Sequence, residues 1–340
     1  MPPFERDPNR IVIAGASSLL GAELKSLLEE SRFAGWDLRL VDEQVAAGTL
    51  TETAGEPAVI QPVEDGSFEK ARFVFFTGSP QFTRANLLAA HQANATIIDL
   101  SGWMAEYPPQ HPSAAEWFLG LNMLRGMETP QETAIYVIPS AAAIAVSALA
   151  LALAPVGLKR LVVTCFQSVS EAGRAGIEEL ESQTSQLLSF QNVGKPVFDT
   201  QVAFSLLDRF GSGSSHSLGK ARRRIRSEVK ACVAAKVNRP AVQVVHAPVF
   251  YGTMFSAWSE LDRAADCQSI LEGCKSAGFN ITEEEDQSPS NVSAAGESII
   301  QLAVPEPDPA QVGTWWYWGA VDNIRFPAWN AVKLAEKLAA

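Results

Sequence analysis

Two rhythms of apolar and polar positions divide the chain. In the first part, short unbroken apolar runs alternate with helical patterns. "RIVIAGASSLLGAELKSLLEE" reads as a buried strand over Ile11 to Ala14, a small-residue turn, and a helix with apolar residues at Leu20, Leu24, Leu27 and Leu28. "WDLRLVDE" is a second strand, "ARFVFFTGSP" a third that stops at Gly78, Ser79 and Pro80, and a helix over Gln81 to Ala93 precedes the strand "ATIIDLS". Strands alternating with helices predict a parallel sheet with right-handed crossovers. After a strand-turn-helix at "VIPSAAAIAVSALALAL" the texture changes. "KRLVVTCFQSVS", "PAVQVVHAPVFYG" and "GTWWYWGAVDNIRF" alternate and are rich in β-branched or aromatic residues, with long helices at Ala172 to Leu188 and Ala221 to Ala235 between them. That pattern predicts an α+β domain on a mixed or antiparallel sheet. "FGSGSSHSLG" (210–219) reads as a flexible linker, "TEEEDQSPSN" (282–291) as a solvated acidic loop, and "NAVKLAEKLAA" as an amphipathic helix returning to the first domain.

The fold class is therefore α/β: an N-terminal Rossmann-like doubly wound domain over 1–137, with 324–340 packing back on it, and a C-terminal α+β domain over 138–323. Two domains suit a chain of 340 residues. Composition is globular, with 47% hydrophobic and 19% charged residues. The formal charge of -11 argues against nucleic acid or an anionic membrane as partner. Cys165, Cys232, Cys267 and Cys274 form no C-x-x-C pair, and His91, His111, His216 and His246 stand apart from them, so neither a zinc site nor a disulfide framework is expected. "MPPFERDPNR" lacks the apolar core of a secretion signal, and the run from Ala141 to Ala154 is too short to span a bilayer. Reduced thiols in the cytoplasm are the matching expectation.

The strongest local signal for chemistry is Gly15-Ala16-Ser17-Ser18-Leu19-Leu20-Gly21, between a strand and a helix. Gly15 suits a tight turn, Gly21 close helix-sheet packing, and the helix N-terminus a pyrophosphate. Ser18 stands where the usual fingerprint has its middle glycine. Asp42, about twenty residues on at the end of the second strand, suits ribose hydroxyls and would repel a 2'-phosphate, favouring NAD over NADP. Thr77 and Gly78 end the neighbouring strand and complete the expected dinucleotide set. The alternative is a βα turn that binds nothing.

Read in order, the turn, "IDLSG", "IPSAAA", "CFQSVSEAGRAGIEELESQT", "HAPVFYGT" and "VDNIRF" make a chain that resembles the aspartate-semialdehyde dehydrogenase family from about Arg10 to Leu338. The resemblance implies a homodimer with an NADP-binding Rossmann domain and a dimerisation domain. It also implies a cysteine thiolate, an acid-base histidine, and Arg and Glu side chains that hold an acyl-phosphate substrate. The departures fall on that machinery. The family's cysteine aligns with Ala141, its acid-base histidine with Thr253, and a substrate-binding arginine with His246. The phosphate-binding arginine is missing from "SGWMAEY", and the family's paired glutamates fall near Ala221 and Arg222, while a base persists at Arg224. An alanine offers no nucleophile, and a threonine hydroxyl does not titrate near neutral pH. The chain thus resembles the Usg-like paralogues that lack the catalytic cysteine.

Several residues carry two readings. Cys165 shares a strand face with Gln167 and is either a displaced nucleophile or a packed thiol. Gln167, Ser170, Arg224 and His246 form the expected substrate pocket, for a small anionic ligand; His246 is equally readable as a core imidazole. Arg222, Arg223, Arg224 and Arg226 are either an anion site or a solvated face paired with Glu228. Asp322 and Asn323 read as nicotinamide contacts, as a strand-helix turn, or as both. Trp315, Trp316, Tyr317 and Trp318 read as core and subunit interface. The function expected is a non-catalytic family member that binds a dinucleotide or small ligand; the alternative is an NAD(P)-dependent oxidoreductase that acts on an aldehyde without a covalent intermediate, or through Cys165.

Overall fold

The computed structural model describes residues 9–44, 48–53, 55–106, 114–125, 133–233, 237–262, 265–283 and 287–340. His111 and the centre of the acidic loop (284–286) lie outside them. The chain divides into two compact units: Met1–Leu119, Thr129–Pro139 and Pro327–Ala340 form the first, and Gly120–Glu128 and Ser140–Phe326 the second.

The first unit contains β1 (Arg10–Ala14), α1 (Leu19–Glu29), β2 (Asp37–Asp42), β3 (Leu50–Thr53), β4 (Glu56–Val59), β5 (Gln61–Pro62), β6 (Phe73–Phe76), α2 (Pro80–Gln92), β7 (Thr96–Asp99), α3 (Trp103–Glu106), β8 (Ala114–Glu116) and β9 (Ile135–Val137). Seven of the strands form one sheet in the order β5-β2-β1-β6-β7-β9-β8, with every neighbouring pair parallel. Strand order reverses direction between β1 and β6, which makes their carboxyl ends the switch point of a Rossmann-like sheet. The apolar runs are continuous because both faces are covered: Val12, Val74, Phe76 and Ile97 enter one core cluster, while Ile11, Ile13, Phe73 and Phe75 are also buried. Helix α2 starts at Pro80, one residue earlier than the apolar pattern suggests. Ser79 caps it by accepting from the Phe82 amide at 3.1 Å, and Pro80 needs no amide partner at that position. The antiparallel hairpin β3-β4 is a structure the sequence pattern did not anticipate.

The second unit contains α4 (Leu121–Arg125), α5 (Ala141–Leu153), β10 (Arg160–Gln167), α6 (Gly173–Leu188), α7 (Leu218–Val233), β11 (Ala241–His246), β12 (Thr253–Glu260), α8 (Cys267–Ser276), β13 (Phe279–Thr282), β14 (Ile300–Ala303), β15 (Glu306–Pro307) and β16 (Thr314–Val321). Its sheet runs β11-β10-β12-β16-β14-β13 and is mixed: β10 pairs parallel with β11 and antiparallel with β12. Every residue of α5 is buried, because α4, α7 and α8 pack around it and β10, β12 and β16 lie against it. A helix apolar on all sides belongs in such a core.

The sheet's two faces differ. Leu161, Val163, Cys165 and Gln167 of β10 are buried, while Val162 is 45% exposed; on β16, Trp315 and Tyr317 are buried while Trp316 and Trp318 are 46% and 37% exposed. The segment 210–219 corrects the linker expectation. Gly211 donates to Phe198 O at 3.0 Å, Ser214 Oγ to Val197 O at 2.8 Å, and the rings of Phe198 and Phe210 stand 4.7 Å apart. Its glycines serve close approach: a Cβ on Gly211 would lie 2.1 Å from Asp199 O. Helix α9 (Arg325–Ala339) closes the chain, and its residues from Pro327 onward belong to the first unit. There Asn330 Oδ1 accepts from the Leu119 amide at 2.8 Å.

Candidate functional site

At the switch point of the first unit, Gly15 takes φ +97°, and a Cβ there would lie 2.1 Å from Gly78 N. The turns after β1 and β6 therefore touch backbone to backbone, and only glycine fits. A Cβ on Gly21 would meet Gly15 O at 2.6 Å, so this residue lets α1 close onto the turn. Ser18 caps α1. Its hydroxyl accepts from Gly21 N at 2.9 Å and donates to Thr77 O at 2.9 Å, so its side chain turns into the protein. Asp42 is buried, with Oδ2 accepting from Ser17 N at 2.7 Å and Oδ1 from Glu43 N at 2.7 Å. Gly15, Ser17, Ser18, Leu19, Gly21, Asp42, Thr77 and Gly78 are thus brought together. The bonds of the turn use the amides of Gly15, Ala16, Ser17, Ser18 and Gly21, and none of them uses those of Leu19 and Leu20, at the positive end of α1.

In the second unit a row of paired residues crosses the end of the mixed sheet. Gln167 lies opposite His246 on one side and Thr253 on the other, and Thr253 lies opposite Val321. Partners in register share a face, so these side chains and Cys165 point the same way. Around the strand ends, Ser170, Glu171, Gly252 and Asn323 form one hydrogen-bonded group. Asn323 Nδ2 donates to Ser170 Oγ at 3.0 Å and to Glu171 Oε1 at 3.1 Å, and its Oδ1 accepts from Gly252 N at 2.7 Å.

A second group begins at α5. Ser140 is its N-cap, and the Ser140 hydroxyl donates to Glu228 Oε2 at 2.5 Å while Glu228 Oε1 accepts from Arg224 Nε at 2.8 Å. Glu228 has a side chain only 1% exposed. The two groups meet electrostatically at Glu171. Glu171 is an exposed residue, and the local crowding of its carboxyl raises it above the usual carboxylate range. Arg224 and the Asn323 bond oppose the rise, and Glu228 adds to it.

Four expectations change with this geometry. Cys165 is fully buried, and burial pushes its thiol up to about 12, so it holds no thiolate near neutral pH; the displaced-nucleophile reading is corrected to a packed thiol. His246 is also sealed, between Phe198 and Phe210, with Nε2 3.2 Å from Val202 O, and burial lowers its pKa. It is a neutral core imidazole rather than a substrate anchor. The arginine cluster is dispersed: Arg222 donates to Gln243 Oε1 at 2.6 Å, Arg226 to Val242 O at 2.7 Å, and Arg224 to Glu228, so guanidinium groups tie α7 to β11 and to Glu228 instead of converging. Asp322 accepts from the amides of Ile324, Arg325 and Gly296, each at 2.8 Å, and shapes the turn into α9. Asn323 spends its carboxamide on the group above.

Glu171 and Ser140 are the site residues that sequence reasoning passed over, and Glu228 was read there only as an ion-pair partner of the α7 arginines. Ser140 before an apolar helix has a cap's signature, and Glu228 follows Arg224 at i,i+4 spacing. Nothing in the sequence singles out Glu171. Among the described residues no group of three or more His, Cys, Asp or Glu converges as a metal site requires, and no helix is long and apolar enough to cross a membrane.

Comparison with known proteins matches the model for the semialdehyde dehydrogenase dimerisation domain over residues 149–326. A USG-1 protein homologue from Azotobacter vinelandii is 30% identical, over 96% of this chain and 97% of that protein. An aspartate-semialdehyde dehydrogenase from Rickettsia bellii is 25% identical over 96% and 97%. The solved structure of a probable aspartate-semialdehyde dehydrogenase from Pseudomonas aeruginosa superposes with a TM-score of 0.85 at 28% identity, covering 98% of each chain. That of aspartate semialdehyde dehydrogenase II from Vibrio cholerae, at 22% identity and a TM-score of 0.83, shares the fold. With a parallel Rossmann-like unit, a mixed-sheet unit that matches the dimerisation domain, and relatives along nearly its whole length, the chain belongs to the aspartate-semialdehyde dehydrogenase family.

Proposed function

We propose that this chain is a non-catalytic member of its family, a cytoplasmic homodimer that binds a dinucleotide at the turn after β1 and a small ligand at the polar corner of its second unit. The observation that carries the reading is the start of α5. Ala141 presents a methyl group where the resemblance puts the attacking sulfur, and the adjacent Ser140 hydroxyl is committed to Glu228. Neither neighbouring candidate takes over: Cys165 is protonated and buried, and Thr253 supplies a hydroxyl that does not titrate near neutral pH.

Dinucleotide binding draws support from the Gly15, Gly21 and Gly78 contacts, which a residue with a Cβ would disrupt. The Asp42 carboxylate, fixed by two amides, favours NAD(H) over a 2'-phosphorylated cofactor. Dimerisation draws support from the match to a dimerisation domain and from the half-exposed sheet face that carries Val162, Trp316 and Trp318. Cys165, Cys267 and Cys274 are free thiols, as a reducing compartment keeps them.

The test is an assay of phosphate-dependent oxidation of aspartate semialdehyde with NAD and NADP, beside a fluorescence titration with NADH. The expected result is saturable NADH binding without turnover. Turnover overturns the non-catalytic reading. Binding that fails to saturate at millimolar NADH, with no turnover, favours a purely structural partner.

A further inference from the structure

We propose that Glu43 is the residue that takes the adenosine ribose in the first unit: its carboxylate, held across the switch point by Ser79, accepts the ribose 2'-hydroxyl, while Asp42 behind it shapes the turn. This rests on the reading of the turn after β1 as a dinucleotide site.

Two carboxylates stand at the end of β2, where an acid ordinarily receives the ribose hydroxyls of a dinucleotide. Asp42 holds that place by sequence, yet it is 6% exposed, and each of its oxygens already accepts a backbone amide: Oδ2 that of Ser17 and Oδ1 that of Glu43, both at 2.7 Å. Those bonds tie the end of β2 to the turn before α1 and leave Asp42 little surface for a ligand. Glu43 is the opposite case. It is exposed, and among the described residues its carboxylate meets a single donor, the Ser79 hydroxyl at 3.3 Å.

Position gives the same answer independently. β1 lies between β2 and β6 in the sheet, so a bond from Glu43, which follows β2, to Ser79, which follows β6, crosses the carboxyl end of β1. There the turns at Gly15 and Gly78 touch and α1 begins. A dinucleotide on a sheet of this order lies in that crevice, outside the strand ends. Ser79 also accepts from the Phe82 amide at 3.1 Å as the cap of α2, which fixes its oxygen and leaves its proton for Glu43. Glu43 Oε1 thus already holds a hydroxyl donor, and among the described residues Glu43 Oε2 takes part in no hydrogen bond. A carboxylate with open lone pairs suits a ligand hydroxyl; to a 2'-phosphate, as a pure acceptor, it offers only repulsion.

The experiment is displacement of fluorescent NADH by ADP and by 2'-deoxy-ADP, which differ only in the hydroxyl assigned to Glu43. Wild-type protein should prefer ADP by about tenfold or more, the range of a hydrogen bond to a charged acceptor. Glu43→Ala should bring the two ligands within about twofold of each other, and Glu43→Gln should narrow the preference for NADH over NADPH by about tenfold. Asp42→Asn, which disturbs the turn, should weaken ADP and 2'-deoxy-ADP alike and keep their ratio. Glu181→Gln, an exposed acid on α6, controls for overall charge and should behave as wild type. A wild-type preference below about threefold, a preference that survives Glu43→Ala, or one that Asp42→Asn abolishes as fully, overturns the proposal. NADH that binds while the ADP preference ignores Glu43 removes this proposal alone; NADH that fails to saturate removes the dinucleotide reading and this proposal with it. The readout needs no turnover, so the non-catalytic reading stands or falls separately.

Discussion

Replacement of Ser140 by alanine tests the electrostatic logic at the head of α5. The wild-type hydroxyl does two things: it donates to Glu228 Oε2 at 2.5 Å and accepts from the Ala143 amide at 3.4 Å. The second bond is long, so the capping contribution sits at the low end of the usual range, about 0.5 kcal/mol. The first is charge-assisted and reaches a carboxylate whose side chain is 1% exposed, which places it at about 1.5–3 kcal/mol. Glu228 is not orphaned in the variant, because the Ser140 amide at 3.2 Å and Arg224 Nε at 2.8 Å remain. The loss should therefore stay near 2–3 kcal/mol rather than approach the 3–5 kcal/mol of an abandoned buried charge. Urea denaturation reads it as a lowered midpoint at unchanged slope. A cycle with Glu228→Gln should show a coupling of at least about 1 kcal/mol between the two positions. A Ser140→Ala loss below about 1 kcal/mol, or strictly additive effects, would show that the carboxylate does not depend on the helix head as described.

Other expectations follow from the same structure. Burial lowers the pKa of His246, so the folded protein binds fewer protons there than the unfolded chain; stability is fully present above about pH 6.5 and declines as pH falls below it, by up to about 1.4 kcal/mol per unit. His246→Gln should flatten that slope in a denaturation series from pH 7 to 5, and an unchanged slope refutes the assignment. Native-state labelling of Cys165 by a thiol reagent at neutral pH should await unfolding; rapid wild-type modification there contradicts its burial. Gly15→Ala puts a Cβ 2.1 Å from Gly78 N at φ +97° and should cost at least about 2 kcal/mol while abolishing NADH binding; a variant that binds normally removes the turn from the cofactor reading. Trp316→Asp on the exposed sheet face should halve the mass measured by light scattering, and an unchanged mass moves the dimer contact elsewhere.

What could be read from the sequence follows the range of the interactions involved. Continuous apolar strands and the Gly15 to Gly21 turn were legible because a buried parallel sheet and a strand-turn-helix leave local marks. The hairpin β3-β4 left almost none, with Gly55 and Pro57 inside a short polar stretch. The segment 210–219 looked like a linker because composition cannot show that Gly211 and Gly213 pack against Asp199. The arginines on α7 resembled an anion site until register brought Val242 and Gln243 beneath them. Glu171 was invisible for the same reason, since its meaning comes from Asn323, 152 positions away.

The path of the chain also constrains its synthesis. The first unit includes Pro327–Ala340, while the second ends at Phe326. On a ribosome, most of the second unit emerges while the amino-terminal sheet still lacks α9, with Asn330 and its bond to the Leu119 amide not yet made. The unit begun first is finished last. Its partly covered sheet must wait through the translation of the second unit, a period of roughly ten seconds or more at common elongation rates. Chaperone dependence is therefore expected to concentrate in the amino-terminal third, and premature stop codons after Phe326 should release a chain whose second unit is folded and whose first is not.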